Sequence, residues 1–327
     1  MRKKYDIITF GSATLDVFLE TNDFLIRKEK KSISREMICF PFASKVDLKG
    51  MSFLTGGGGT NTAAGFSTQG FKTAFCGTIG NDFAGQEVFK DLKRVGVATE
   101  LLFKTDKAMT NLSVIFSKDM DRICFVWRDA SEFLKWDKRL ISSLNTDWFY
   151  LAPLSGHLAD NFERLVNLAQ KRKIHVFANL GNSQINLGIK KLKPVLEKID
   201  ILLLNQEEAS LLTKIPYNNE TGILKKLSKL VPGIIVITKG VQGAIVFNDG
   251  NLWSSKALSV KVVEKTGAGD AFGSGFLSGL IRENDIEFAF QLAMANAMSC
   301  IQKKGAKQGL LKKGETYRKV KIKKVKI

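Results

Sequence analysis

The second half of the chain alternates short apolar runs with longer segments in which apolar residues recur every three to four positions. The apolar runs predict strands at about 148–151, 174–178, 199–204, 234–238 and 244–247. The amphipathic segments predict helices near 158–172, 188–198, 206–213 and 220–230. Strands that alternate with helices are typical of βαβ units. This half therefore predicts an α/β fold with a mainly parallel sheet and helices on both faces.

The first half opens with a short apolar strand at residues 5–10 and then loses helical periodicity. Residues 17–53 mix alternating stretches with a lysine-rich segment, and residues 110–127 alternate around a polar turn, as hairpins do. Both stretches predict strands or loops that project from the main sheet. The sequence has no internal repeat and no Pro/Ser-rich linker, so we predict one main domain over residues 1–327.

The stretch from Val262 to Ile281 combines a β-branched pair, a glycine turn and a helical pattern. It predicts a strand at Val262 and Val263, a turn at residues 266–269 and a helix from Asp270. Glycines let backbone N–H groups approach an anion, and the helix dipole adds to the attraction. A carboxylate beside a bound phosphate can act as general base on a substrate hydroxyl. A helix-capping Asp explains the same spacing equally well.

Polar residues follow several other predicted strands, at the edge where open α/β sheets bind ligands. These residues are Asp16, Asn205, Glu208, Thr238 and Gly240. Four glycines at 56–59 precede Asn61 and an Ala-rich helix start, which would allow a ligand to approach the backbone closely. Ordinary turns, helix caps and a flexible loop explain each of these features without any chemistry.

Several classes of site are excluded by what the sequence lacks. No G-x-x-x-x-G-K-[ST] occurs, which excludes a Walker-type P-loop. No glycine fingerprint follows the first strand, which argues against a dinucleotide-dependent oxidoreductase. The chain has two histidines and four widely spaced cysteines without a C-x-x-C pair, so we expect reduced thiols and no His-based zinc site.

Taken in order, the motifs resemble the signatures of the ribokinase/PfkB family of sugar and nucleoside kinases. The resemblance covers most of the chain, and its blocks are G-G-x-x-x-N at 56–61, N-x-x-E at 205–208, T-x-G-x-x-G at 238–243 and G-A-G-D at 267–270. It implies a ribokinase-like three-layer α/β/α fold with a small β-sheet lid from about 17–53 and 108–128. It also implies ATP-dependent phosphoryl transfer to a hydroxyl, typically of a sugar.

The family's functional residues carry over to the matching positions of this chain. The resemblance implies that Asp270 is the catalytic base and that Gly267, Ala268 and Gly269 form the anion hole for the transferred phosphoryl group. It assigns the acceptor to Asp16, Gly57 and Asn61. It assigns ATP to Asn205, Thr238, Gly240 and Asn296, and Mg²⁺, held through water, to Glu208.

Two departures from the family pattern leave the reaction partly open. Glu264-Lys265-Thr266 stands where the family has D-T-x, which puts its monovalent-cation (K⁺) site in doubt; an ammonium from Lys265 in place of the ion is one explanation. Gly58 stands where ribokinases commonly carry a larger side chain, so it gives no clue to the acceptor. A nucleoside kinase and a non-catalytic nucleotide-binding protein of the same fold are the alternatives to a sugar kinase.

The formal net charge of +18 is concentrated in part at residues 312–327, which hold eight Lys or Arg and one Glu. Such a segment is a nucleic-acid- or membrane-binding tail, a solvated tail, or an edge strand in which Val320, Ile322, Val325 and Ile327 are spaced among lysines. We favour the last two because Tyr317 is the one aromatic residue there. Nucleic acid is therefore not expected as a partner.

Hydropathy bears on location and on the remaining partners. No apolar run approaches the roughly 20 residues of a membrane span, and the first residues lead into the strand at 5–10 without the apolar core of a signal peptide. We therefore predict a cytoplasmic protein with no membrane partner. The expected small-molecule partners are ATP and a sugar or nucleoside, and a homodimer formed through the lid is a further expectation.

Overall fold

The computed structural model describes residues 4–29, 36–118 and 121–326. The strands in these ranges are β1 (Tyr5–Phe10), β2 (Thr14–Glu20), β3 (Leu25–Lys28), β4 (Glu36–Cys39), β5 (Gly50–Gly56), β6 (Thr73–Gly80), β7 (Leu102–Thr105), β8 (Asn111–Lys118), β9 (Asp121–Trp127), β10 (Thr146–Leu151), β11 (His175–Asn179), β12 (Ile201–Asn205), β13 (Ile234–Thr238), β14 (Ala244–Asn248), β15 (Asn251–Ser255) and β16 (Lys323–Lys326). The α-helices are α1 (Gly58–Thr68), α2 (Phe83–Arg94), α3 (Lys138–Ser143), α4 (Asn161–Arg172), α5 (Asn182–Ile185), α6 (Gly188–Leu196), α7 (Gln206–Thr213), α8 (Glu220–Leu227), α9 (Ala268–Glu283) and α10 (Ile286–Cys300).

The central sheet has the strand order β16-β15-β14-β13-β12-β11-β10-β1-β6-β7. The strands from β13 to β7 in this order pair in parallel, and β14, β15 and β16 extend one edge in antiparallel fashion. Parallel neighbours need crossover connections, which the helices between them supply. The strands predicted for the second half form within two residues of their predicted bounds.

Alternate residues of the buried strands point to opposite faces of the sheet, and helices cover both faces. On one face, Ile8 and Phe10 pack in a core with apolar side chains of α4, α6, α7 and α8. On the other face, Ile7 packs in a core with side chains of α1, α9 and α10. The three-layer α/β/α fold is therefore confirmed.

A smaller sheet stands apart from the central one, with the order β5-β2-β8-β9, and β3 and β4 pair as a separate ribbon. We call β2 to β5 together with β8 and β9 the lid. The lid arises from the two stretches predicted to project, although its first strand begins at Thr14, earlier than expected. Asp16 therefore lies within β2, opposite Leu54 of β5, instead of in a loop after β1.

The strand predicted at Val262 and Val263 does not form. Residues 256–263, all of them described, belong to no strand or helix. The backbone N–H groups of Val263 and Glu264 donate instead to the carbonyl of Ile301, just past α10, at 2.8 and 3.2 Å. Two β-branched residues favour an extended backbone, but a strand also needs a neighbouring strand, and here the neighbour is the end of a helix.

The basic end of the chain closes one edge of the central sheet. Val320 is buried, and its backbone N–H and C=O both bond the side-chain amide of Gln291 on α10. The following β16 pairs antiparallel with β15. The edge-strand interpretation is thus correct for Lys323–Lys326, whereas Ile327 lies outside the described residues. Lysines along an edge strand discourage pairing with other chains.

None of the described helices is both long enough and apolar enough to cross a membrane. The cytoplasmic location stays a prediction.

Candidate active site

The loops after β1 lie at a topological switch point. The neighbours of β1 in the sheet are β10 on one side and β6 on the other, so a crevice opens at the carboxyl end of β1. Ser12 ties this crevice to the start of α1, because its carbonyl accepts from the N–H of Gly59 at 3.1 Å and its hydroxyl from the N–H of Gly58 at 3.2 Å. Gly57 has φ of 94°, and a Cβ there would lie 2.5 Å from the Ser12 carbonyl oxygen, so the position requires glycine.

Helices α1 and α9 bring two predicted site residues into direct contact. The Nδ2 of Asn61 donates to the Oδ2 of Asp270 at 2.8 Å. Asn61 is 4% exposed, and its Oδ1 is buried without a hydrogen-bond partner among the described residues. A buried acceptor without a partner is costly, and a ligand hydroxyl would satisfy it. The pair of Asn61 and Asp270 therefore forms the centre of the candidate site.

The turn before α9 presents backbone N–H groups beside Asp270. Gly267 has φ of 79°, and a methyl group there would overlap Ala306, so two constraints favour glycine. Since α9 begins at Ala268, the N–H groups of Gly269 and Asp270 precede the first acceptors within the helix. A Cβ added to Gly269 would meet no atom within 4 Å. An open helix N-terminus of this kind suits an anion.

The carboxyl group of Asp270 is weakly acidic for an aspartate. Burial raises its pKa from 3.8 to about 6, opposed by the hydrogen bond from Asn61 and the positive charge of Lys307. Burial and, after it, the charge of Asp270 raise the pKa of Tyr150. Burial also raises the pKa of Cys300 to about 12, with smaller contributions from the charges of Asp270 and Glu264. A carboxylate with a pKa near 6 is ionised at neutral pH and is basic enough to accept a proton in a transition state.

We expect the acid limb of the kcat/KM profile to follow Asp270. The base acts as its carboxylate, so kcat/KM for the acceptor falls as the pH drops through about 6. Mg·ATP must be saturating, because phosphate groups also titrate near pH 6. Initial rates between about pH 5 and pH 8 locate the midpoint. A profile that stays flat down to pH 5 would contradict a base with a raised pKa.

Asp16 lies on the covered side of the lid. It is 6% exposed, and its carboxylate oxygen Oδ2 abuts the backbone of Gly56, where a Cβ would overlap it. Gly56 ends β5 and directly precedes Gly57. Two of the three residues predicted for the acceptor therefore lie close together, because Asp16 contacts the residue that precedes Gly57. The third, Asn61, lies one turn into the following helix α1.

Sequence reasoning missed Lys307, a buried ammonium group close to this segment. Its side chain is 2% exposed, and its Nζ donates to Asp91 Oδ2 at 3.0 Å and to Thr55 Oγ1 at 2.9 Å. Burial lowers the pKa of Lys307, opposed by the negative charges of Asp91 and Asp16. No sequence signal separates it from Lys303 and Lys304, because burial of one lysine among several depends on tertiary packing.

The residues predicted for nucleotide and metal meet where β12 ends and α7 begins. The side chain of Asn205 accepts from the N–H of Glu208, and Glu208 Oε2 accepts from the N–H of Asn205, both at 2.8 Å, which is a capping box. Burial raises the pKa of Glu208 against the hydrogen bond from Asn205. Thr238 lies opposite Asn205 in the parallel register, and Gly240 follows in an open turn. Three of the residues predicted for the nucleotide, Asn205, Thr238 and Gly240, thus lie with Glu208 where the neighbouring strands β12 and β13 end.

Glu208 fits the chemistry of a magnesium site that is completed by water and phosphates. The described residues contain no group of three His, Cys, Asp or Glu that could hold a metal by themselves. Mg²⁺ keeps several waters and takes few carboxylates in sites shared with substrate phosphates. The capping box uses Oε2, and Oε1 accepts no hydrogen bond within the described ranges. One oxygen is therefore available to bind a water of the ion.

Asn296, which was predicted to line an adenine pocket, is buried inside the protein. Asn296 is 0% exposed within α10. Its Nδ2 donates to the carbonyl of Ala271 at 2.7 Å, and its Oδ1 accepts from the N–H of Leu311 at 2.8 Å. The amide is thus used in holding α10 to α9 and to the C-terminal segment. Its polar atoms therefore already have partners within the protein, and its role in an adenine pocket stays a prediction.

The departure at Glu264 and Lys265 shapes the turn that leads to Gly267. Glu264 is 9% exposed, and its Oε1 accepts from the N–H of Thr266 at 3.0 Å and from its hydroxyl at 2.7 Å. Lys265 is exposed. The carboxylate therefore stabilises the turn beside the candidate anion site, and the replacement of a cation by Lys265 stays a prediction.

Comparison with known proteins shows the family of this chain. The model of the pfkB family of carbohydrate kinases matches residues 13–313. An "uncharacterized sugar kinase" of Archaeoglobus fulgidus is 26% identical over 250 residues, covering 75% of this chain and 98% of that protein. A ribokinase of Haemophilus influenzae is 27% identical over 271 residues, covering 80% and 85% of the two chains. A nucleoside kinase of Methanothermobacter thermautotrophicus is 21% identical over 328 residues, covering 97% and 96%.

Solved structures share the fold. The Arabidopsis thaliana ribokinase, determined with ribose and ATP, superposes with a TM-score of 0.77 at 22% identity and covers 95% of this chain and 96% of its own. An Escherichia coli protein determined with ATP and Mg²⁺ superposes with a TM-score of 0.74 at 19% identity and covers 93% and 95%.

Proposed function

Because the chain belongs to the pfkB family of carbohydrate kinases, we propose that it transfers the γ-phosphoryl group of ATP to a hydroxyl of a sugar or sugar-containing small molecule. The observation that carries this proposal is the hydrogen bond between Asn61 and Asp270 at the open N-terminus of α9. A carboxylate with a pKa of about 6 thereby borders N–H groups that can hold an anion. Phosphoryl transfer to a hydroxyl needs a base for the hydroxyl proton and an anion-binding group for the phosphoryl oxygens, and the two must lie side by side.

In the proposed reaction an acceptor hydroxyl, held by Asp16 and Asn61, lies against Asp270. The Asp270 carboxylate takes the hydroxyl proton while the hydroxyl oxygen bonds to the γ-phosphorus. The bond from this phosphorus to the bridging oxygen breaks, and its electron pair leaves with ADP. The N–H groups at the start of α9, with those of Gly269 and Asp270 open, stabilise the charge on the transferred group in the predicted anion hole of Gly267, Ala268 and Gly269. Lid closure excludes water from the site.

Mg²⁺, when bound near Glu208 and Asn205, would supply positive charge on the phosphates of ATP. Thr238 and Gly240 lie on the same edge of the sheet and would contact the nucleotide. Asn205 has a second role as helix cap, which keeps Glu208 oriented. The assignment of Mg²⁺ to Glu208 rests on its oxygen Oε1, which the capping box does not use, and on the position of Glu208 just after the end of β12.

Glu208→Gln is expected to raise the Mg²⁺ concentration needed for half-maximal activity by about tenfold. Glutamine still caps α7, because its side-chain oxygen can accept from the N–H of Asn205, so the loss isolates the charge. Glu207→Gln, which removes an exposed acid from the same helical turn, is the matched control and should shift the Mg²⁺ requirement much less. Activity titrated with Mg²⁺ at fixed ATP measures the effect. Equal magnesium curves for both variants would remove Glu208 from the metal site.

The acceptor class is the open part of the proposal, and it can be tested directly. ADP release from Mg·ATP is measured against ribose, fructose, fructose phosphates, adenosine, inosine and cytidine, with and without K⁺. We expect one acceptor to stimulate turnover well above the background. Stimulation by a nucleoside alone would select the nucleoside-kinase alternative, and the K⁺ response would show whether a monovalent cation activates. Bound ATP with no stimulation by any acceptor would contradict the proposal.

The lid carries an exposed apolar face, which supports the proposed homodimer. Register places Phe53 of β5 opposite Val17 of β2, Val17 opposite Val114 of β8, and Val114 opposite Phe125 of β9, so the four side chains share one face. Phe53 and Phe125 are 48% and 64% exposed. A second copy of the lid would cover this face. Sedimentation velocity tests the proposal, and a monomer at micromolar concentration would contradict it.

A further inference from the structure

One loop connects the candidate anion site to the base of the lid. It comprises residues 301–311, which follow α10, and we call it the 301–311 loop. Ala306 lies against Gly267, where an added methyl group would overlap it. The backbone of Gly305 lies against the lid, because a Cβ there would come within 2.6 Å of Leu54 Cδ1. The loop therefore touches the turn before α9 on one side and strand β5 on the other.

Lys307 is the buried charge of this loop. Its Nζ donates to Thr55 of β5 and to Asp91 of α2, and Asp91 Oδ2 also accepts from the Thr55 hydroxyl. Three groups from three parts of the chain thus form a closed triangle. Thr55 directly precedes Gly56 and Gly57, the segment beside Asp16, so the triangle fixes the strand end that enters the acceptor site.

The charge of Lys307 reaches both carboxylates of the proposed site. Asp16 stabilises the charged ammonium, and the ammonium stabilises the ionised form of Asp270. Four groups from four elements act on Asp270: Asn61 of α1 through its hydrogen bond, and Tyr150 of β10, Cys300 of α10 and Lys307 of the loop through electrostatic interaction. Lys307 is the positively charged member of this set, so its removal would leave Asp270 without a positive charge among these groups.

We propose that Lys307 is a positioning residue for phosphoryl transfer, which holds residues 55–57 against the 301–311 loop and supplies positive charge that acts on Asp270. The proposal rests on the proposed function for its kinetic part. Its electrostatic part concerns Asp270 alone and holds for any chemistry at that carboxylate. The alternative is a structural ion pair, because buried pairs can often be replaced by neutral groups without loss of stability.

Four variants separate these roles. Lys307→Met removes the charge at similar length, Lys307→Arg keeps a charge, and Asp91→Asn removes only the counter-charge while its amide can still bond Thr55. The double variant Lys307→Met/Asp91→Asn removes both charges of the buried pair and should recover most of the stability that the single Met variant loses. Lys304→Met is the matched control, because Lys304 also links this loop to the lid, through Glu20, but is partly exposed.

The first readout needs no acceptor. Aspartate labelled with ¹³C at the carboxyl carbon gives an NMR titration of Asp270, which is assigned by the signal missing in Asp270→Asn. We expect Lys307→Met and the double variant to move the Asp270 midpoint upward by about half a pH unit or more. Lys307→Arg and Lys304→Met should keep the wild-type midpoint, and Asp91→Asn should not raise it. An unchanged midpoint in both Met-containing variants would overturn the electrostatic part.

The second readout is kinetic and uses the acceptor that the panel identifies, with Mg·ATP. Both Met-containing variants should lose about tenfold to a hundredfold in kcat/KM for the acceptor, with the KM for ATP unchanged and the acid limb moved to higher pH. A double variant with wild-type stability, acceptor KM and pH profile would make the pair purely structural. If wild-type protein phosphorylates nothing yet the NMR midpoint shifts, the proposed function fails and the electrostatic role of Lys307 stands.

Discussion

Asp270→Asn is expected to lower kcat by about 10²- to 10⁴-fold while the protein stays folded. Asparagine has nearly the same shape, and its side-chain oxygen can still accept the hydrogen bond that Asn61 donates to Asp270 Oδ2. It cannot take a proton from the acceptor hydroxyl, so the loss falls on the chemical step. Single-turnover phosphorylation with both substrates saturating measures that step. The KM values should change much less than kcat.

The same substitution is expected to stabilise the protein at neutral pH. Burial raises the pKa of Asp270 to about 6 from 3.8, so between these values the folded state holds a proton that the unfolded state has released. The free energy of unfolding therefore falls as pH rises through this window, by up to about 3 kcal/mol. Asparagine removes that penalty. Thermal unfolding should show a higher Tm for Asp270→Asn at pH 8 than for the wild type, and little difference at low pH.

Asp285→Asn is the matched control for both measurements. Asp285 caps α10 by accepting from the N–H of Phe288 at 2.6 Å, and it is exposed. Asparagine caps helices about as well as aspartate, so kcat and stability should both stay near the wild-type values. Wild-type turnover in Asp270→Asn would show that Asp270 is not the base. Reduced turnover without a gain in stability would indicate that its carboxylate is not held in an unfavourable charged state.

Gly269→Ala is expected to reduce kcat/KM by about 10²-fold without destabilising the fold. An added Cβ meets no atom of the protein within 4 Å, and the residue lies in the first turn of α9, where alanine is a better helix former than glycine. The methyl group would occupy the open space that we propose for the transferred phosphoryl group. A displacement of about 1 Å in that group is enough for a loss of this size.

Gly267→Ala provides the contrast. Its φ of 79° and its contact with Ala306 leave no room for a side chain, so this variant should lose stability together with activity. Thermal unfolding and steady-state kinetics on both variants separate the two effects. Full activity in Gly269→Ala would place the phosphoryl group away from the N–H of Gly269. A large loss of stability in Gly269→Ala would mean that the added methyl group contacts the protein.

The central layer of the fold could be predicted because its strands are buried on both faces. Residues 234–237, for example, are all apolar, and this pattern does not depend on which strands lie next to them. The strand predicted at Val262 and Val263 failed for the opposite reason. Its residues have the right propensity, but pairing depends on a partner, and that partner was the carbonyl of Ile301.

The candidate site was predictable where a motif encodes its own geometry. The glycine turn before Asp270 and the cap at Asn205 are local features, and both form as the spacing suggests. Lys307 and Asn296 are decided by distant contacts. Lys307 can be buried because Thr55 and Asp91 accept hydrogen bonds from its ammonium group. Asn296 forms hydrogen bonds with Ala271 and Leu311 inside the core, and its neighbours in the sequence do not indicate these contacts.

The wide separation of contacting residues along the chain has a consequence for folding kinetics. Asn61 and Asp270 are 209 positions apart, and Thr55 and Lys307 are 252 apart. Contacts of such long sequence separation form late, because closing a long loop costs entropy before the contact stabilises anything. During refolding from denaturant, helical circular dichroism should therefore recover before phosphoryl transfer does. Enzymatic activity would then report the last assembly step of this chain, when its two halves meet around Asp270.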